Sequence, residues 1–478
     1  MPTRNRYKIP TMHTIQQRMF DEQEDPSLFQ QALKYGLEYM RDVPNRRVFP
    51  DKGALAGLSY FEEALPEVPA EATAVLALLQ KYGAPATVAT TGARYFGFVT
   101  GNMVPAGQAA KLLATFWDQV SAMYVISPLA AKLEQVVEVW LRTAFNLPEN
   151  TVAGFVSGSS TANLCGLAAA RYRLLQNQGW DINRRGFAQA PPLRVVLGRE
   201  AHSTILKMVS LLGFGLDNVE WVETDAQGRI IPEQIPTLDS STLLVLQAGN
   251  VNSGSFDDFN AICRKAKEQG AWIHIDGAFG LWAAAVDPLK PLTTGIEYAD
   301  SWAVDGHKTL NTPYDSGIIL CADREALTTA LHMSAGYIVL SDERDGMLYT
   351  PEMSRRARIV ELWATMKYLG RQGIDQMIHH MHLRAVQFAK GLAALEGFTV
   401  LNEVVFNQVA VACASDERTN QVLARIQQDG ICWVGGSSWK GKRIIRISVC
   451  SWTTTEEDVA LSLAAFRSAL QTVEGASK

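Results

Sequence analysis

Short apolar segments alternate with longer helix-like segments over the middle of the chain, from about residue 86 to residue 345. Because this alternation is typical of β-α-β units, it predicts an α/β fold with a mostly parallel sheet and helices on both faces. Ligands of such folds bind beyond the carboxyl ends of the strands. The predicted strands are 151–156, 194–197, 243–247, 272–275, 301–304 and 317–321.

The pattern changes on either side of this region. Residues 1–85 show helical periodicity interrupted by Pro50, Pro66 and Pro69, which predicts an N-terminal helical arm with little core of its own. Residues 86–375 are expected to form the large domain. Residues 376–478 predict a small C-terminal α+β domain. Its expected strands are 398–401, 408–414 and 443–449, and its expected helices are 419–429 and 456–472.

Composition narrows the classes of partner. The 478 residues are 47% hydrophobic and carry a net charge of -5 with both signs interspersed, so we expect neither nucleic acid nor membrane as a partner. Six scattered cysteines without a C-x-x-C pair predict reduced thiols, and Met1 to Arg6 lacks the apolar core of a signal peptide. Together they predict a cytoplasmic protein. His379, His380 and His382 spread over more than one helix face, which favours a solvated surface over a metal site.

One predicted strand ends in small hydroxyl residues. The segment from Gly154 to Leu164 contains Ser157, Gly158, Ser159 and Ser160 directly before a long predicted helix. Free backbone N–H groups, hydroxyls and the positive end of the helix dipole would meet there, which is an arrangement that binds phosphate. The alternative is an ordinary helix capped by serine or threonine.

Two further strands end in an acid and a lysine. Asp276 follows the apolar residues 272–275, and Lys308 follows the apolar strand 301–304 in a His-Lys pair. Alone, the acid fits a helix cap or turn and the lysine fits a solvated side chain. With the predicted phosphate site, they predict a pyridoxal 5'-phosphate (PLP) site. There a lysine forms a Schiff base with the cofactor aldehyde and an acid pairs with the protonated pyridine nitrogen.

The residues in this order resemble the group II PLP-dependent amino acid decarboxylases, which include the aromatic-L-amino-acid and glutamate decarboxylases. The resemblance covers about residues 50 to 470 and implies fold type I, with a mostly parallel seven-stranded sheet. The segments that carry it are Arg94-Tyr95-Phe96-Gly97-Phe98, Ser127-Pro128 with Leu133-Glu134, the Ser157 to Leu164 loop, Ala201-His202-Ser203, His274-Ile275-Asp276, Gly306-His307-Lys308 and Ser354-Arg355-Arg356.

The resemblance implies a role for each matching residue. Lys308 is the Schiff-base lysine, Asp276 the partner of the pyridine nitrogen, and His202 the imidazole stacked on the cofactor ring. Tyr337 matches the tyrosine that protonates the carbon left when carbon dioxide departs. The remaining expected contacts are Ala278 on the opposite ring face, Ser159, Ser160 and His307 at the phosphate, and Ser354 near the phosphate of a partner subunit.

The chain departs from the family pattern at three places. The phosphate loop has Ser159-Ser160-Thr161 where a run with an acid is usual. The segment 247–252 replaces a threonine-rich one, so we expect Asn250 or Asn252 to take over a hydrogen bond to cofactor or substrate. Asp305 stands where asparagine is common in the aromatic branch. These departures leave the substrate open.

Two groups of residues bear on substrate and reaction. Phe96, Phe98, Val99 and Trp117 would form poorly solvated walls that favour loss of a carboxylate, or belong to the core. Arg446 lies near the position where aminotransferase relatives hold the substrate α-carboxylate. If it does so here, the carboxylate is retained, and transamination or aldol cleavage becomes the better prediction.

We therefore expect decarboxylation of an L-amino acid with an apolar or aromatic side chain to the amine and carbon dioxide. The alternatives are retro-aldol cleavage, transamination or oxidative deamination on the same scaffold, and a catalytically silent binding protein, against which Lys308 and Asp276 argue. The resemblance also implies a homodimer with shared active sites. The sequence supports it through the N-terminal arm and the apolar segment 101–124.

Overall fold

The computed structural model describes residues 15–332 and 342–476. The chain divides into two compact units, Met1–Ala89 and Thr90–Lys478. No helix within the described ranges is both long and apolar enough to cross a bilayer.

The first unit is helical. Its α2 helix exposes Phe29, Leu33, Leu37 and Met40, so one side of this helix presents apolar side chains to solvent. A 3₁₀ turn follows α2 at Val43–Asn45. The α-helices are α1 (Ile15–Glu24), α2 (Ser27–Asp42), α3 (Lys52–Ala56), α4 (Ala72–Leu78) and α5 (Ala84–Ala86).

The second unit contains two sheets and their covering helices. In chain order its elements are β1 (Tyr95–Phe96), α6 (Pro105–Trp117), α7 (Pro128–Ala144), β2 (Val152–Val156), α8 (Ser159–Gln176), α9 (Ile182–Arg185), β3 (Arg194–Gly198), α10 (Ser203–Leu211), β4 (Val219–Val222), β5 (Thr242–Gln247), α11 (Phe259–Glu268), β6 (Trp272–Asp276), β7 (Ser301–Asp305), β8 (Gly317–Cys321), α12 (Arg324–Leu331), α13 (Ile359–Ala393), β9 (Thr399–Val400), β10 (Gln408–Ala412), α14 (Asp416–Asp429), β11 (Trp433–Trp439), β12 (Lys442–Ser448) and α15 (Glu456–Ala476).

The larger sheet has seven strands in the order β2-β8-β7-β6-β5-β3-β4. Its neighbouring strands run parallel, except that β8 runs antiparallel to β2 and to β7. The predicted α/β class with a mostly parallel seven-stranded sheet is thereby confirmed. The residue pattern alone had indicated six of these strands and did not include β4.

Both faces of the larger sheet are buried, which explains why its strands are continuous apolar runs. Along β3, Val196 packs into one apolar cluster while Val195 and Leu197 pack into another. Along β5, Leu244 packs into the same cluster as Val196, and Leu243 packs into the other. Successive side chains of a strand point to opposite faces, so a strand covered on both sides needs apolar residues at every position.

The smaller sheet has five strands in the order β1-β11-β12-β10-β9. Strand β1 pairs in parallel with β11, and the other pairs are antiparallel. A separate apolar cluster lies under this sheet and contains Phe388, Val409, Ile447 and Phe466. Residues 95–96 belong to this sheet although more than three hundred residues separate them from β11, so the segment before the larger sheet is tied to the C-terminal part of the chain.

Candidate active site

A cavity of about 370 Å³ opens at the carboxyl ends of the parallel strands. This volume is typical of small-molecule sites. Its lining comes from the ends of β5, β6 and β7, the loops that follow β2 and β3, and the segment after β1. The residues are Phe98, Val99, Gly158, Ser159, Ser160, His202, Thr204, Gln247, Gly249, Val251, Asp276, Ala278, Phe279, Asp305, His307 and Lys308.

Lys308 is held at the cavity by an acid three residues before it. Its Nζ lies 2.9 Å from Oδ2 of Asp305, whose side chain is almost fully buried. Burial acts to lower the pKa of Lys308, but the Asp305 carboxylate outweighs it and raises the pKa above its usual value. The lysine is thus an ammonium ion at neutral pH, paired within the site.

The start of α8 forms the expected phosphate-binding end of the cavity. Ser159 and Ser160 are its first two residues, and Gly158 precedes them in an extended conformation. A Cβ on Gly317 would lie 2.3 Å from the Gly158 backbone, so the two segments approach this closely only because residue 317 is glycine. Helix-start N–H groups and serine hydroxyls here fit the phosphate of PLP.

His307 closes the same end of the cavity. Its Nδ1 accepts a hydrogen bond from the backbone N–H of Ser316 at 3.1 Å, and its Nε2 lies 3.6 Å from Oδ2 of Asp305. The Ser316 donor requires Nδ1 to be without a proton, so the ring proton sits on Nε2. Burial lowers the pKa of His307, and the ring is therefore neutral at pH 7. Tyr314 stacks on this ring with centroids 4.1 Å apart.

His202 lies at the N-cap of α10. Its Nδ1 accepts the backbone N–H of Thr204 at 3.2 Å, which places the proton of the neutral ring on Nε2 and fixes the ring orientation. Burial is the largest influence on His202 and lowers its pKa, so the imidazole is neutral at pH 7. A flat neutral ring at the cavity wall suits stacking on the pyridine ring of the expected cofactor.

Asp276 is the last residue of β6 and is largely buried. Its Oδ1 accepts the backbone N–H of Ala278 at 3.2 Å. Ala278 also lines the cavity, so the acid and the small residue come from one turn. A carboxylate at this depth suits a protonated pyridine nitrogen.

The structure therefore brings together most of the predicted site residues. Ser159, Ser160, His202, Asp276, Ala278, His307 and Lys308 line the one cavity. Tyr337 lies outside the described residues. Ser354 is exposed and does not line the cavity.

Asn250 also lies away from the cavity lining. Its Oδ1 accepts the backbone N–H groups of Asn252 and Ser253, at 2.9 and 3.2 Å. Its Nδ2 donates to the Glu200 carbonyl at 3.3 Å. The side-chain amide thus stabilises the loop after β5 and a neighbouring loop.

Of the expected substrate walls, Phe98 and Val99 line the cavity, whereas Phe96 and Trp117 do not. Phe98 and Val99 have positive φ values of 53° and 56°, which non-glycine residues rarely adopt and which cost about 1–2 kcal/mol each. The fold holds this strained pair at the edge of the cavity. Arg446 is not among the lining residues, and its Nη1 donates to the carbonyl of Val251 at 3.2 Å.

Several lining residues were not predicted from the sequence as site residues, among them Gln247, Val251 and Phe279. Gln247 had a usable signal, because it ends β5 directly beside Asp276 in the parallel register of β5 and β6. The carboxyl end of any central parallel strand is a candidate position. Val251 and Phe279 lie in loops and carried no comparable signal.

A buried ion network supports the wall of β2 that leads into the phosphate loop. The Glu134 carboxylate accepts hydrogen bonds from Arg355 at 2.8 Å, from Arg344 at 2.9 Å and from the Ser121 hydroxyl at 2.7 Å. Arg355 also donates to the carbonyl of Phe155 in β2 at 3.0 Å. Burial would raise the pKa of Glu134, but the two arginines lower it below its ordinary value.

His382 bonds through Nδ1 to the Phe406 carbonyl, and His379 lies beside it with ring centroids 6.2 Å apart. Across residues 15–332 and 342–476, no group of three or more His, Cys, Asp or Glu side chains is placed to hold a metal ion.

The chain is similar in sequence to known proteins. The family model described as "Pyridoxal-dependent decarboxylase conserved domain" matches residues 60–413. An aromatic-L-amino-acid decarboxylase of Bacillus atrophaeus is 27% identical over 386 residues, covering 76% of this chain and 78% of that protein. The human cysteine sulfinic acid decarboxylase is 27% identical over 342 residues, covering 68% of this chain and 67% of that protein.

Among solved structures, the fold is similar to that of Oryza sativa TDC with PLP and tryptamine. The TM-score is 0.85 at 21% identity, and the alignment covers 94% of this chain and 97% of that chain.

Proposed function

The chain belongs to the pyridoxal-dependent decarboxylase family, and from that premise we propose that its substrate is an L-amino acid with an apolar or aromatic side chain. The reaction is PLP-dependent decarboxylation of an amino acid, which releases the amine and carbon dioxide. The relatives named above act on substrates as different as aromatic amino acids and cysteine sulfinate. The family therefore leaves the substrate side chain to be argued from the cavity.

The charge balance of the cavity carries this proposal. Among its described lining residues, Lys308 has the one side chain that is positively charged at neutral pH, and Asp305 already pairs with it. A sulfinate or carboxylate on the substrate side chain would need a further buried cation, because an unpaired buried anion is strongly disfavoured. Phe98, Val99 and Val251 offer apolar surface instead.

We assign the cavity residues to roles as follows. Lys308 bonds the cofactor, the start of α8 and His307 hold its phosphate, and His202 stacks on its ring. Asp276 keeps a proton on the pyridine nitrogen. When bound, the cofactor withdraws the electron pair that remains on the α-carbon after carbon dioxide leaves, and a protonated ring nitrogen strengthens this effect.

We assign Tyr337 as the acid that returns a proton to the α-carbon. The support is its position after Lys308 in the sequence. A positioned acid of this kind accelerates proton transfer by about 10²–10⁴-fold. Phenylalanine at this position would keep the ring and remove the proton.

Two of the alternative reactions, transamination and aldol cleavage, are favoured if Arg446 holds the substrate α-carboxylate. The observed contacts favour decarboxylation, because Arg446 already donates through Nη1 to the carbonyl of Val251 at 3.2 Å. A guanidinium that keeps this contact does not pair with the substrate carboxylate, and the departure of carbon dioxide is then not opposed by an ion pair.

We further propose a cytoplasmic homodimer with shared active sites. The supporting surface in the second unit is the side of α6 and the following segment, where Leu112, Leu113, Phe116 and Val125 are exposed. Apolar patches of this kind mark interfaces. All six cysteines are unpaired, as expected in a reducing compartment. Sedimentation should give twice the 52.5 kDa of one chain, and cell fractionation tests the compartment.

The first experiment is a product screen. Purified protein with PLP is incubated with a panel of aromatic, aliphatic and acidic L-amino acids, and amines are detected by mass spectrometry. Tyr337→Phe is run beside Tyr368→Phe, which alters an exposed tyrosine on α13 and serves as the matched control. An aromatic or aliphatic amine that forms with the control and is lost, or replaced by an aldehyde, in Tyr337→Phe supports the proposal. Amines only from acidic amino acids would contradict the substrate, and keto acids or glycine alone would contradict the reaction.

A further inference from the structure

Asp305 lies at the phosphate-binding end of the cavity, where a hydrogen-bond donor to the phosphate would be expected. Its Oδ1 accepts the backbone N–H of Ser159 at 2.6 Å. Ser159 is the first residue of α8, and its N–H is one of the unpaired donors at the helix start that bind phosphate groups. A carboxylate and the cofactor phosphate therefore compete for the same donor.

Hydrogen bonds hold the backbone of Asp305 in place, so the residue cannot move away from the start of α8. Its N–H donates to the Ala278 carbonyl at 2.9 Å, and its carbonyl accepts the indole N–H of Trp282 at 2.9 Å. The side chain is nearly fully buried. A dianionic phosphate at the start of α8 would thus lie close to a second negative charge that is itself almost fully buried, and repulsion there is stronger than in water.

Lys308 is the cation that balances Asp305 in the described structure. Burial acts to raise the pKa of Asp305, but Lys308, His307 and the Ser159 N–H together lower it below its ordinary value. A phosphate at the same place adds two negative charges without adding a cation. The titratable groups around the pair are His307 and Lys308 on its own segment, Tyr314 beyond them, Cys450 after β12, and Asp276 and His202, which face Lys308.

Of these groups, Asp305 is best placed to take up a proton. His307 is buried, and its Nδ1 already accepts the Ser316 N–H, so a second ring proton would break that bond. Tyr314 and Cys450 are buried groups whose pKa values are raised, so both are already protonated at neutral pH. Asp276 has its own role at the ring nitrogen. Like charges forced together raise the pKa of one of them.

We propose that Asp305 binds the cofactor phosphate as a neutral carboxylic acid, so that capture of the phosphate is coupled to uptake of one proton at Asp305. A protonated aspartic acid has nearly the shape of asparagine and presents one O–H donor. The acid thus supplies a donor to the phosphate when protonated and opposes it when ionised. The inference concerns the cofactor and holds for any substrate side chain.

The test measures cofactor affinity as a function of pH. PLP and pyridoxal, which lacks the phosphate, are titrated onto cofactor-free wild type, Asp305→Asn and Asp300→Asn, with tryptophan fluorescence as the signal. Asp300→Asn is the matched control. Asp300 is also a buried aspartate, directly precedes β7, and accepts a hydrogen bond from the backbone N–H of Ile273 at 2.9 Å. Unlike Asp305, it does not line the cavity.

The expected result is a wild-type to Asp305→Asn ratio of Kd for PLP that rises with pH, by up to about tenfold per pH unit. For pyridoxal the ratio should not rise with pH, because the loss of Asp305 then changes only the titration of Lys308. Asp300→Asn should follow wild type with both ligands. Using a ratio cancels titrations common to both proteins. A flat ratio for PLP would overturn the proposal. An equal rise for pyridoxal would also overturn it, because the effect would then not depend on the phosphate.

A second measurement uses wild type alone and covers the case in which Asp305→Asn does not fold. Calorimetric titrations in two buffers of different ionisation enthalpy give the number of protons bound with each ligand. Above about pH 8 a free phosphate ester is fully dianionic, so PLP should take up about one proton more than pyridoxal. Equal uptake would overturn the proposal. A wrong substrate assignment would leave both measurements unchanged.

Discussion

The side-chain amide of Asn311 donates a hydrogen bond of 2.8 Å to the backbone carbonyl of Lys308. The same nitrogen donates to the Cys450 carbonyl at 2.9 Å, and Asn311 Oδ1 accepts the N–H of Trp452 at 3.0 Å. Asn311 is fully buried and has a φ of 56°. One side chain therefore joins the segment of the active-site lysine to the chain that follows β12.

Asn311→Ala should destabilise the protein by about 3–5 kcal/mol, because the Cys450 carbonyl and the Trp452 N–H lose their partner and alanine adds left-handed strain. Asn146→Ala is the control, since Asn146 has a similar φ of 53° but is exposed. There only the left-handed strain of alanine should appear, about 1 kcal/mol. Urea unfolding measures both. Equal losses in the two variants would show that backbone conformation, and not the buried hydrogen bonds, accounts for the effect.

Glu134→Ala should lower the free energy of unfolding by about 3–5 kcal/mol, because Arg344 and Arg355 would keep buried charges without their shared acid. Glu138→Ala is the matched comparison: Glu138 also pairs with Arg344, but its side chain is partly exposed, and its loss should be smaller. Chemical denaturation ranks the two. A larger loss in Glu138→Ala would contradict the central place of Glu134.

The same acid should contribute to stability in a pH-dependent way. The pKa of Glu134 in the folded protein is lowered from its ordinary value of 4.5. Its ionised form therefore stabilises the fold above that value, and the contribution is lost as the pH falls through the folded pKa. The difference in unfolding free energy between wild type and Glu134→Gln should narrow below about pH 4.5. A difference that stays constant down to pH 3 would count against an ionised Glu134.

His274 should make the fold sensitive to mild acid. It is buried in β6 between Ser301 Oγ at 2.8 Å and Asn163 Oδ1 at 2.9 Å, and burial lowers its pKa from 6.5 to about 3. The neutral ring stabilises the fold above pH 6.5, and this contribution falls by up to about 1.4 kcal/mol per pH unit below it. Unfolding curves between pH 7 and 4 should show this slope in wild type and in the exposed-site control His380→Gln. His274→Gln should lack it.

Phe98→Arg should change the preferred substrate. A guanidinium at the cavity wall supplies the cation that an acidic substrate side chain needs, so the ratio of kcat/KM for acidic over aromatic amino acids should rise at least about tenfold. Leu461→Arg places the same charge at an exposed position on α15 and should leave the ratio unchanged. If Phe98→Arg also leaves it unchanged, Phe98 does not contact the substrate side chain.

The position of most predicted site residues followed from the sequence, because parallel strands bring their carboxyl ends together. Ser159, His202, Asp276 and Lys308 are far apart in the chain, yet each follows such a strand and each lines the cavity. The pattern could not predict the contacts of Asn250, whose side-chain amide forms hydrogen bonds with the backbone of its own loop. A side chain that can bond neighbouring backbone groups has competing partners that the sequence does not rank.

The elements missed by the pattern have weak local signals. Strand β4 is only four residues long and half of it is not buried. Strand β11 contains Gly435 and Gly436, which favour neither strand nor helix in isolation. The long helix α13 begins at Ile359. The residues before it include Arg355, which bonds to Glu134 and to the β2 backbone, so tertiary contacts decide the boundary.

Strand β2, which leads into the phosphate loop, lies at the edge of the larger sheet and pairs there with β8. In chain order β3 to β7 all lie between these two strands. During synthesis, β2 emerges from the ribosome long before its partner, and the close approach of Gly158 to Gly317 cannot form until β8 has also emerged. Nascent chains that end before β8 should therefore be unable to retain the cofactor, and cofactor capture would mark the late closing of the sheet.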